Sequence, residues 1–275
     1  MSKCASIKIE NSRTNILIID KTFRKTKLIK EINLDIGIKN LVSLKSKKDY
    51  IDTVSKELKK QDKLKKIFFL VQNTDVIIRE YRDLYNIKKR DILGYINFEI
   101  GQDMPINLSN YIIKYKILNQ NKKRMDLQVI MFPKYLEKIC RDIVEATDIK
   151  YKYLNMDFDV LQKLIDLKSI DIKDDSYYIL QNMMGEIILN KIENKLVQSS
   201  NSFEKEDNLD YIGKFIDKDN HIFFYGIEDE FLKKLKDMDL KVDKLEIKYK
   251  PKALWIDDSV DKHENNYLIH LGMVM

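Results

Sequence analysis

The first 75 residues alternate between short apolar runs and polar turns. Residues 5–9 and 14–20 are apolar segments on either side of a polar turn, which predicts a β-hairpin. Residues 27–35 alternate in character and predict a third strand. Residues 48–60 carry apolar side chains at helical spacing, and residues 67–72 form a continuous apolar run that is typical of a strand buried on both faces. The chain is therefore predicted to open with three strands, a helix and a buried strand.

Residues 75–146 form a pattern of their own. Their predicted elements follow in the order strand, helix, strand, strand, helix, over residues 75–81, 88–100, 110–118, 126–132 and 134–146. Gly101 stands directly after the first helix, where glycine often ends a helix, and Pro133 precedes the second, whose first turn tolerates proline. This segment is therefore predicted to be a small α/β unit.

The second half of the chain resembles the first in the order of its predicted elements. Its predicted strands and helices cover residues 151–155, 158–167, 177–180, 187–192, 195–198, 222–225, 228–238, 245–249 and 253–256. Residues 199–207 are polar and predict a loop, whereas the apolar residues 267–275 predict a packed end. Each half has a hairpin followed by an apolar strand and an amphipathic helix. Two similar halves predict an α/β fold with two lobes and a cleft.

Composition limits the chemistry that this chain can support. It has only 7 glycines and 3 prolines in 275 residues, and phosphate-binding loops usually need glycine close to the ligand. The 50 basic and 44 acidic residues give a formal net charge of +6. The densest run of lysines, over residues 56–66, predicts a solvated helix face rather than a nucleic-acid interface. We therefore expect no nucleic-acid partner.

Membrane and secretory signals are not visible in the sequence. No apolar run reaches the roughly 18–20 residues of a transmembrane helix, and residues 1–10 lack the apolar region of a signal peptide. The two cysteines form no disulfide framework, which is typical of a cytoplasmic protein. Cys140 lies on the apolar face of a predicted helix and is expected in the core, whereas Cys4, near the start of the chain, is expected to be exposed.

One group of residues resembles a metal-binding set. Asp257, Asp258 and Asp261 stand close to His263, and carboxylates with an imidazole can bind divalent cations. An exposed acidic loop explains the same residues more simply. The sequence contains no nucleophile, zinc or phosphate-loop motif. Neither catalytic residues nor a metal site are therefore predicted.

The order and spacing of these elements resemble the type IV pilus assembly protein PilM family, which is actin-like and related to the cell-division protein FtsA. The segments that carry the resemblance are residues 75–79, 91–99, 104–105, 110–118, 126–146, 153–157 and 267–275. The resemblance implies an α/β, two-lobed actin-like (ribonuclease H-like) fold with an insert of the 1C type found in FtsA and PilM. It assigns residues 1–74, 147–170 and 263–275 to lobe 1, residues 75–146 to the insert, and residues 171–262 to a shortened lobe 2.

The first nucleotide-binding loop of the family is altered in this chain. Actin-like ATPases carry an Asp-x-Gly motif in the first hairpin, and its positions correspond here to Lys8 and Glu10, followed by Asn11 and Ser12. Lys8 reverses the charge that would help to hold Mg²⁺, and Glu10 puts a negative charge where a phosphate would lie. Both changes oppose phosphate binding electrostatically.

The second and third loops depart from the family pattern as well. Gln181 and Asn182 stand where a second Asp-x-Gly motif is expected, with Gly185 displaced, and Gly226 is the one glycine left of a Gly-Gly pair. With these departures, the resemblance implies a degenerate nucleotide site and no bound cofactor. It also implies that the chain is not an enzyme.

A scaffold function follows from the same resemblance. Proteins of the PilM family lie in the cytoplasm at the inner face of the membrane, where they bind the N-terminal tail of the bitopic protein PilN and connect to the motor ATPases. For this chain, the resemblance implies a PilN-like partner, a pilus motor ATPase as a further candidate partner, and membrane association through partners. The residues predicted to bind the tail peptide, in a groove between lobe 1 and the insert, are Ile77, Arg79, Tyr81, Tyr95 and Glu99.

Several alternatives stay open at this point. Arg79 can hold a carboxylate or carbonyl oxygens of a peptide, or it can pair with Glu99 and brace the insert. An actin-like ATPase that binds ATP and Mg²⁺ needs an acidic residue near the phosphates, and the nearest candidates are Glu10, Asp20 and Asp35. A relative of FtsA, or of the type II secretion protein GspL, would differ mainly in its partner. The oligomeric state is left open.

Overall fold

A computed structural model describes residues 2–22, 26–104, 106–183, 186–204, 209–247, 254–256 and 267–274. The chain divides into two compact units. One unit combines Met1–Asn73 with Ile139–Met275, and the other is Thr74–Lys138. Among the described residues, no helix has both the length and the apolar character that a membrane span requires.

The strands are numbered in chain order. They are β1 (Ser2–Ile9), β2 (Thr14–Lys21), β3 (Thr26–Leu34), β4 (Leu64–Val71), β5 (Ile77–Tyr85), β6 (Tyr111–Gln120), β7 (Arg124–Pro133), β8 (Tyr151–Asn155), β9 (Ser176–Asn182), β10 (Glu186–Glu193), β11 (Leu196–Glu204), β12 (His221–Gly226), β13 (Val242–Lys244) and β14 (Leu254–Ile256). The α-helices are α1 (Leu44–Lys59), α2 (Ile92–Asp103), α3 (Lys134–Thr147), α4 (Asp157–Asp166), α5 (Leu209–Gly213), α6 (Glu230–Lys236) and α7 (Leu268–Val274).

Two sheets of the larger unit share one topology over five strands, and the first has a sixth strand, β14, which pairs parallel to β3 at its edge. The first has the order β14-β3-β2-β1-β4-β8, and the second has the order β11-β10-β9-β12-β13. In each, an antiparallel three-stranded meander is followed by strands that run parallel to its first strand. Strands β4, β8, β12 and β13 each come after a helix in the chain, as crossover connections between parallel strands require. The predicted α/β fold with two similar halves is therefore confirmed.

Packing explains why these elements form where they do. In β1 and β2 the apolar residues are buried on both faces, which is typical of strands covered on both sides. Helix α1 begins at an N-cap, Ser43, whose side chain accepts a hydrogen bond from the N–H of Ser46. Helix α6 begins at Asp229, which accepts one from the N–H of Leu232. Helix α3 follows Pro133, as the sequence predicts.

The residues at the end of the chain belong to the core of the first sheet. All residues of α7 are buried, and the helix contacts α4, β1 and β4. A Cβ atom at Gly272 would lie 2.7 Å from Cγ1 of Val160 and 3.0 Å from Cδ1 of Leu164, so only glycine lets α7 approach α4 this closely. Cys4 is 4% exposed and packs with the same cluster. The expectation that Cys4 is exposed is therefore wrong, because β1 is a central strand.

The smaller unit is a three-stranded antiparallel sheet with one helix packed on it. Strand β7 lies between β5 and β6, so β5 is an edge strand. Helix α2 buries Ile92, Ile96 and Ile100 against the sheet, at the i, i+4, i+8 spacing seen in the sequence. The sequence predicts that this helix ends at Gly101, and this prediction is wrong. The helix continues to Asp103, and Met104 is the C-cap.

The largest error of the sequence-based prediction concerns residues 199–207. These residues were expected to form a loop, but strand β11 runs through them to Glu204, and residues 205–208 lie outside the described ranges. Helix α5 was not predicted. The strand expected at residues 245–249 lies earlier, at Val242–Lys244.

Candidate functional site

A buried group of charged side chains lies at the end of β1. Lys8 and Glu10 are each 1% exposed. The Nζ atom of Lys8 is 3.1 Å from Oδ2 of Asp157, at the start of α4, and 3.4 Å from Oε1 of Glu10. The Nε atom of Arg13 lies 2.6 Å from the other carboxylate oxygen of Glu10. These four residues, together with Glu186, are called the Lys8 cluster below.

Glu186 brings the second sheet into the Lys8 cluster. It is the first residue of β10 and is 1% exposed. Its Oε1 atom accepts a hydrogen bond from the backbone N–H of Asn11 at 3.2 Å. Its Oε2 atom is buried, and no described residue hydrogen-bonds to it. The first hairpin turn is thereby joined to a carboxyl group of the other sheet.

Charge pairing stabilises most of the Lys8 cluster in its ionised form. Burial by itself lowers the pKa of Lys8, but attraction to Asp157 and Glu10 outweighs burial, and the pKa is raised. Burial by itself raises the pKa of Glu10, but attraction to Lys8 and Arg13 is stronger, and the pKa is lowered. For Glu186, burial and repulsion by Glu10 raise the pKa to about 8. Glu186 is therefore expected to be the protonated carboxyl of the group at neutral pH.

This raised pKa predicts how stability changes with pH. Because the folded protein holds a proton on Glu186 that the unfolded chain releases above pH 4.5, stability falls as pH rises towards 8. His270 acts in the opposite direction: burial lowers its pKa to about 3, so its effect on stability is complete above about pH 6.5. Between pH 6.5 and 8 the free energy of unfolding of the wild type is expected to fall by about 1–2 kcal/mol.

The Glu186→Gln variant isolates this contribution. It keeps an oxygen that can accept the Asn11 hydrogen bond but cannot ionise, so its stability should stay nearly constant between pH 6.5 and 8. Urea unfolding at both pH values measures the difference. Equal slopes for wild type and variant would show that Glu186 does not titrate in this range.

Hydrogen bonds join the two segments that correspond to the second and third nucleotide-binding loops of the family, around Asn182 and Gly226. The side-chain N–H of Asn182 donates to the carbonyl of Ile227 at 2.7 Å and to Asp229 at 2.9 Å. The N–H of Ile227 donates to the carbonyl of Asn182 at 2.8 Å. Gly226 has φ +103°, and a Cβ atom there would lie 2.1 Å from the carbonyl oxygen of Asn182. Gly226 therefore serves the close approach of two protein loops.

Further polar contacts join the two sheets of the larger unit. The side chain of Gln72 donates to Ser200 of β11 and accepts from the N–H of Phe158 at 3.1 Å. Ser200 donates in turn to Asn190 at 2.6 Å. Lys39 and Glu204 form an ion pair at 2.5 Å. The two lobes are thus connected by side chains of the protein itself.

Structural comparison identifies the fold. No protein-family profile matches the sequence, and no curated protein sequence matches it either. A Bacteroides thetaiotaomicron protein with an actin-like ATPase fold and unknown function aligns with a TM-score of 0.58 at 11% identity, covering 99% of this chain and 95% of that chain. The chain has the actin-like fold.

Two other proteins that align over nearly their full length belong to pilus and secretion machinery. The structure of a PilM–PilN type IV pilus biogenesis complex aligns with a TM-score of 0.68 at 9% identity, covering 98% of this chain and 97% of that chain. The cytoplasmic domain of EpsL, an inner membrane component of the type II secretion system of Vibrio cholerae, aligns with a TM-score of 0.60 at 8% identity, covering 99% and 95%. The predicted PilM-like architecture is therefore confirmed at the level of the fold.

Within the actin-like fold, the acidic candidates for a Mg²⁺ site do not come together. Glu10 is paired with Lys8 and Arg13. Asp20 pairs in register with Lys3, at the other end of the hairpin, and Asp35 is exposed after β3. Among the described residues, no three His, Cys, Asp or Glu side chains are grouped to hold a metal ion. The acidic residues near His263 lie outside the described ranges.

The Lys8 cluster is a poor fit for a magnesium–phosphate group. A cation there would be repelled by the ammonium group of Lys8, and a phosphate would be repelled by the carboxylate of Glu10. Asn11 is buried, and its backbone N–H is engaged by Glu186, whereas Ser12 is exposed. Gln181 is also engaged, since it accepts a hydrogen bond from the hydroxyl of Tyr225 at 2.6 Å.

The residues predicted to bind a peptide all lie in the smaller unit. Ile77, Arg79 and Tyr81 share one face of β5; the first and last pack against the α2 core, and Arg79 is exposed. Tyr95 and Glu99 lie one turn apart on α2, and burial together with the bond to Glu99 raises the pKa of Tyr95. Among the described residues, no ion pair joins Arg79 to Glu99, so the alternative in which they brace the insert is not seen.

The sequence analysis missed three members of the Lys8 cluster. The sequence analysis places Arg13 in the polar turn of the first hairpin and Asp157 at the end of a segment that resembles PilM, and it assigns no role to Glu186. Their signal in the sequence was weak, because each is a single charged residue next to an apolar segment. The position of Asp157 in the segment that resembles PilM was the best available indication.

Proposed function

We propose that the protein is a non-enzymatic scaffold of a pilus or secretion assembly, with a degenerate nucleotide site. The Lys8 cluster is the observation that carries this proposal. It fills the end of the first hairpin with paired charges that oppose both Mg²⁺ and phosphate. The fold shared with PilM and with the cytoplasmic domain of EpsL supports the assembly role.

The partner proposed for the scaffold is the short N-terminal tail of a bitopic, PilN-like membrane protein. The structure described as a PilM–PilN complex is the basis for this partner. Strand β5 supports it physically, because an edge strand offers main-chain hydrogen bonds to an extended peptide. Arg79 is exposed on this strand and can bind a carboxylate or carbonyl oxygens in a bidentate manner.

The proposed location is the cytoplasm, at the inner face of the membrane, through contact with that partner. A pilus motor ATPase is a further candidate partner. An ATPase that still turns over nucleotide is the competing function, and it requires that Mg-ATP displace the charge pairs of Lys8 and Glu10.

Calorimetric titration with two ligands tests the proposal. Millimolar Mg-ATP should give no binding heat and no thermal shift, whereas a ligand at about 100 times its Kd would stabilise the protein by about 2.7 kcal/mol. A synthetic peptide with the tail sequence of a PilN-like protein from the same organism should bind. The Arg79→Lys variant should bind this peptide about tenfold more weakly, because lysine cannot make the bidentate contact.

Arg82→Lys is the matched control for the peptide. Arg82 is on the same strand, its side chain is 58% exposed, and it pairs with Glu80, so its replacement should leave peptide affinity unchanged. Saturable Mg-ATP binding would overturn the degenerate site. Equal weakening by both arginine variants would show that the effect is not specific to Arg79, and unchanged affinity in both would indicate general charge attraction instead of a bidentate contact.

A further inference from the structure

Two aliphatic side chains stand almost fully in solvent where α1 begins. Val42 is 89% exposed and Leu44 is 87% exposed, and no other large apolar side chain of the described residues is exposed as much. Single exposed apolar residues are common on protein surfaces, but these two lie only two positions apart. Leu41, just before them, is buried. Residues 42–48, which include both exposed side chains, are called the α1 tip below.

The backbone that carries these two side chains is held in place. The N–H of Ile38 donates to the carbonyl of Glu10 at 3.0 Å, and the N–H of Lys39 donates to the carbonyl of Asn11 at 2.9 Å. Ser43 is the N-cap of α1, and its side chain accepts a hydrogen bond from the first turn of the helix. The two apolar side chains therefore protrude from a segment whose two ends are fixed by hydrogen bonds.

Lysines surround the apolar pair. Residues 39–48 include lysines at positions 39, 45, 47 and 48 and no acidic residue, although Asp49 follows directly. Lys45 and Lys48 are exposed, and Lys47 is half-buried. Within the part of the chain that the structure describes, none of these three forms an ion pair.

The stability of α1 does not explain these lysines. Cations near the N-terminus of a helix oppose the helix dipole, and the first turn of α1 has no acidic residue to offset them. Leu44, Lys45 and Lys48 stand at i, i+1 and i+4, so they share one face of the helix. Exposed apolar groups and unpaired cations therefore occur together at one place, and neither serves the fold.

We propose that the α1 tip binds the surface of an anionic lipid membrane. Val42 and Leu44 insert at the boundary between headgroups and acyl chains, and the lysines contact the anionic headgroups. The aliphatic stem of a lysine can lie beside the inserted side chains while its ammonium group stays among the headgroups. This contact goes beyond the proposed scaffold function, because it needs no protein partner.

The size and charge of the tip favour a lipid surface over a protein as its occupant. Two protruding side chains bury far less than the about 1,200–2,000 Å² of a stable protein interface. Lipid binding needs no complementary pocket, since its strength follows the inserted apolar area and the attraction to anionic lipids. The lysines select an anionic surface over a neutral one. Binding through one such tip is expected to be weak and reversible.

Vesicle co-sedimentation of the full chain, without any other protein, tests the proposal. One set of vesicles contains equal parts of phosphatidylglycerol and phosphatidylcholine, and the other contains phosphatidylcholine alone. The wild type should bind the anionic vesicles at least about tenfold more tightly, and added salt should weaken this binding. The double variant Val42→Ser, Leu44→Ser should bind them about tenfold more weakly although its charge is unchanged. The double variant Lys45→Gln, Lys48→Gln should also lose about tenfold.

Two matched controls keep the same chemistry at other places. Leu167→Ser removes an aliphatic side chain that is 54% exposed at the end of α4. The double variant Lys56→Gln, Lys59→Gln removes two exposed lysines at the opposite end of α1. Both controls should bind the anionic vesicles as the wild type does. Thermal unfolding should show that all variants remain folded.

A fluorescent label tests insertion at the tip directly. Leu44→Cys carrying the polarity-sensitive dye NBD should become brighter on anionic vesicles, whereas Lys59→Cys with the same dye should not. The natural cysteines Cys4 and Cys140 are buried and should not react.

Three results would overturn the proposal. The first is a wild type that does not bind the anionic vesicles, which would leave the tip to a protein partner. The second is full binding by the Val42→Ser, Leu44→Ser variant. The third is an equal loss in the Lys56→Gln, Lys59→Gln control, which would indicate general charge attraction.

Discussion

Replacing Lys8 by methionine is expected to lower the free energy of unfolding by about 3–5 kcal/mol, which is the usual effect of breaking a buried ion pair from one side. The ammonium group lies between Glu10 and Asp157, and all three side chains are almost completely buried. Methionine fills a similar volume but leaves the carboxylate of Asp157 without its cation. Urea unfolding at pH 7 measures the loss.

The same variant should partly recover at lower pH. Without Lys8, burial still raises the pKa of Glu10 but one of the two cations that lower it is lost, so Glu10 should bind its proton at higher pH than in the wild type. The stability of the variant should therefore rise relative to wild type as pH falls from 7 to 5. Lys191→Met serves as control, because Lys191 pairs with Glu193 at a partly exposed position, and its loss should cost less than about 1 kcal/mol. A loss below about 1 kcal/mol for Lys8→Met would show that the Lys8 cluster contributes little.

Gly226→Ala should be the second strongly destabilising substitution, with a loss of about 3 kcal/mol. Two penalties combine at this position. The φ of +103° is unfavourable for any residue with a Cβ atom, and that atom would lie 2.1 Å from a backbone oxygen of Asn182. Because the obstacle is backbone, no side-chain rotation relieves it.

Gly213→Ala is the matched control for Gly226. It lies at the end of α5, where a Cβ atom would meet only Cε of Met238 at 3.5 Å. This substitution should change stability by less than about 0.5 kcal/mol. Thermal unfolding of the two variants under the same conditions compares them directly. Similar melting temperatures for both variants would mean that the backbone around Asn182 can shift to accommodate a Cβ atom, despite its hydrogen bonds.

Much of the fold could be predicted because its signals are local. The hairpins, the buried strand β4 and the amphipathic helix α3 each follow from the spacing of apolar residues within one segment. Strand β11 could not be read in this way, because its serines and asparagine resemble a loop. Ser200 is in fact buried and is hydrogen-bonded to Asn190 and Gln72. Polar residues can be buried on a strand when neighbouring segments supply their hydrogen-bond partners, and the local sequence does not show those partners.

Only part of the candidate site could be predicted from the sequence. Lys8 and Glu10 stood out because a resemblance suggested which residues to expect at their positions. Their partners Asp157 and Glu186 are 149 and 178 residues further along the chain than Lys8, and only folding brings them together. The sequence analysis could therefore indicate that the site was altered, but not that the altered residues neutralise one another.

Lys8 supplies a positive charge beside the first hairpin that cannot dissociate from the protein. A metal ion at a site exchanges with solvent, and its occupancy depends on the metal concentration and on chelators. The ammonium group of Lys8 is covalently attached and is always present at neutral pH. Millimolar EDTA should therefore leave the melting temperature unchanged, and the charge balance beside the first hairpin should be the same whether cellular magnesium is scarce or abundant.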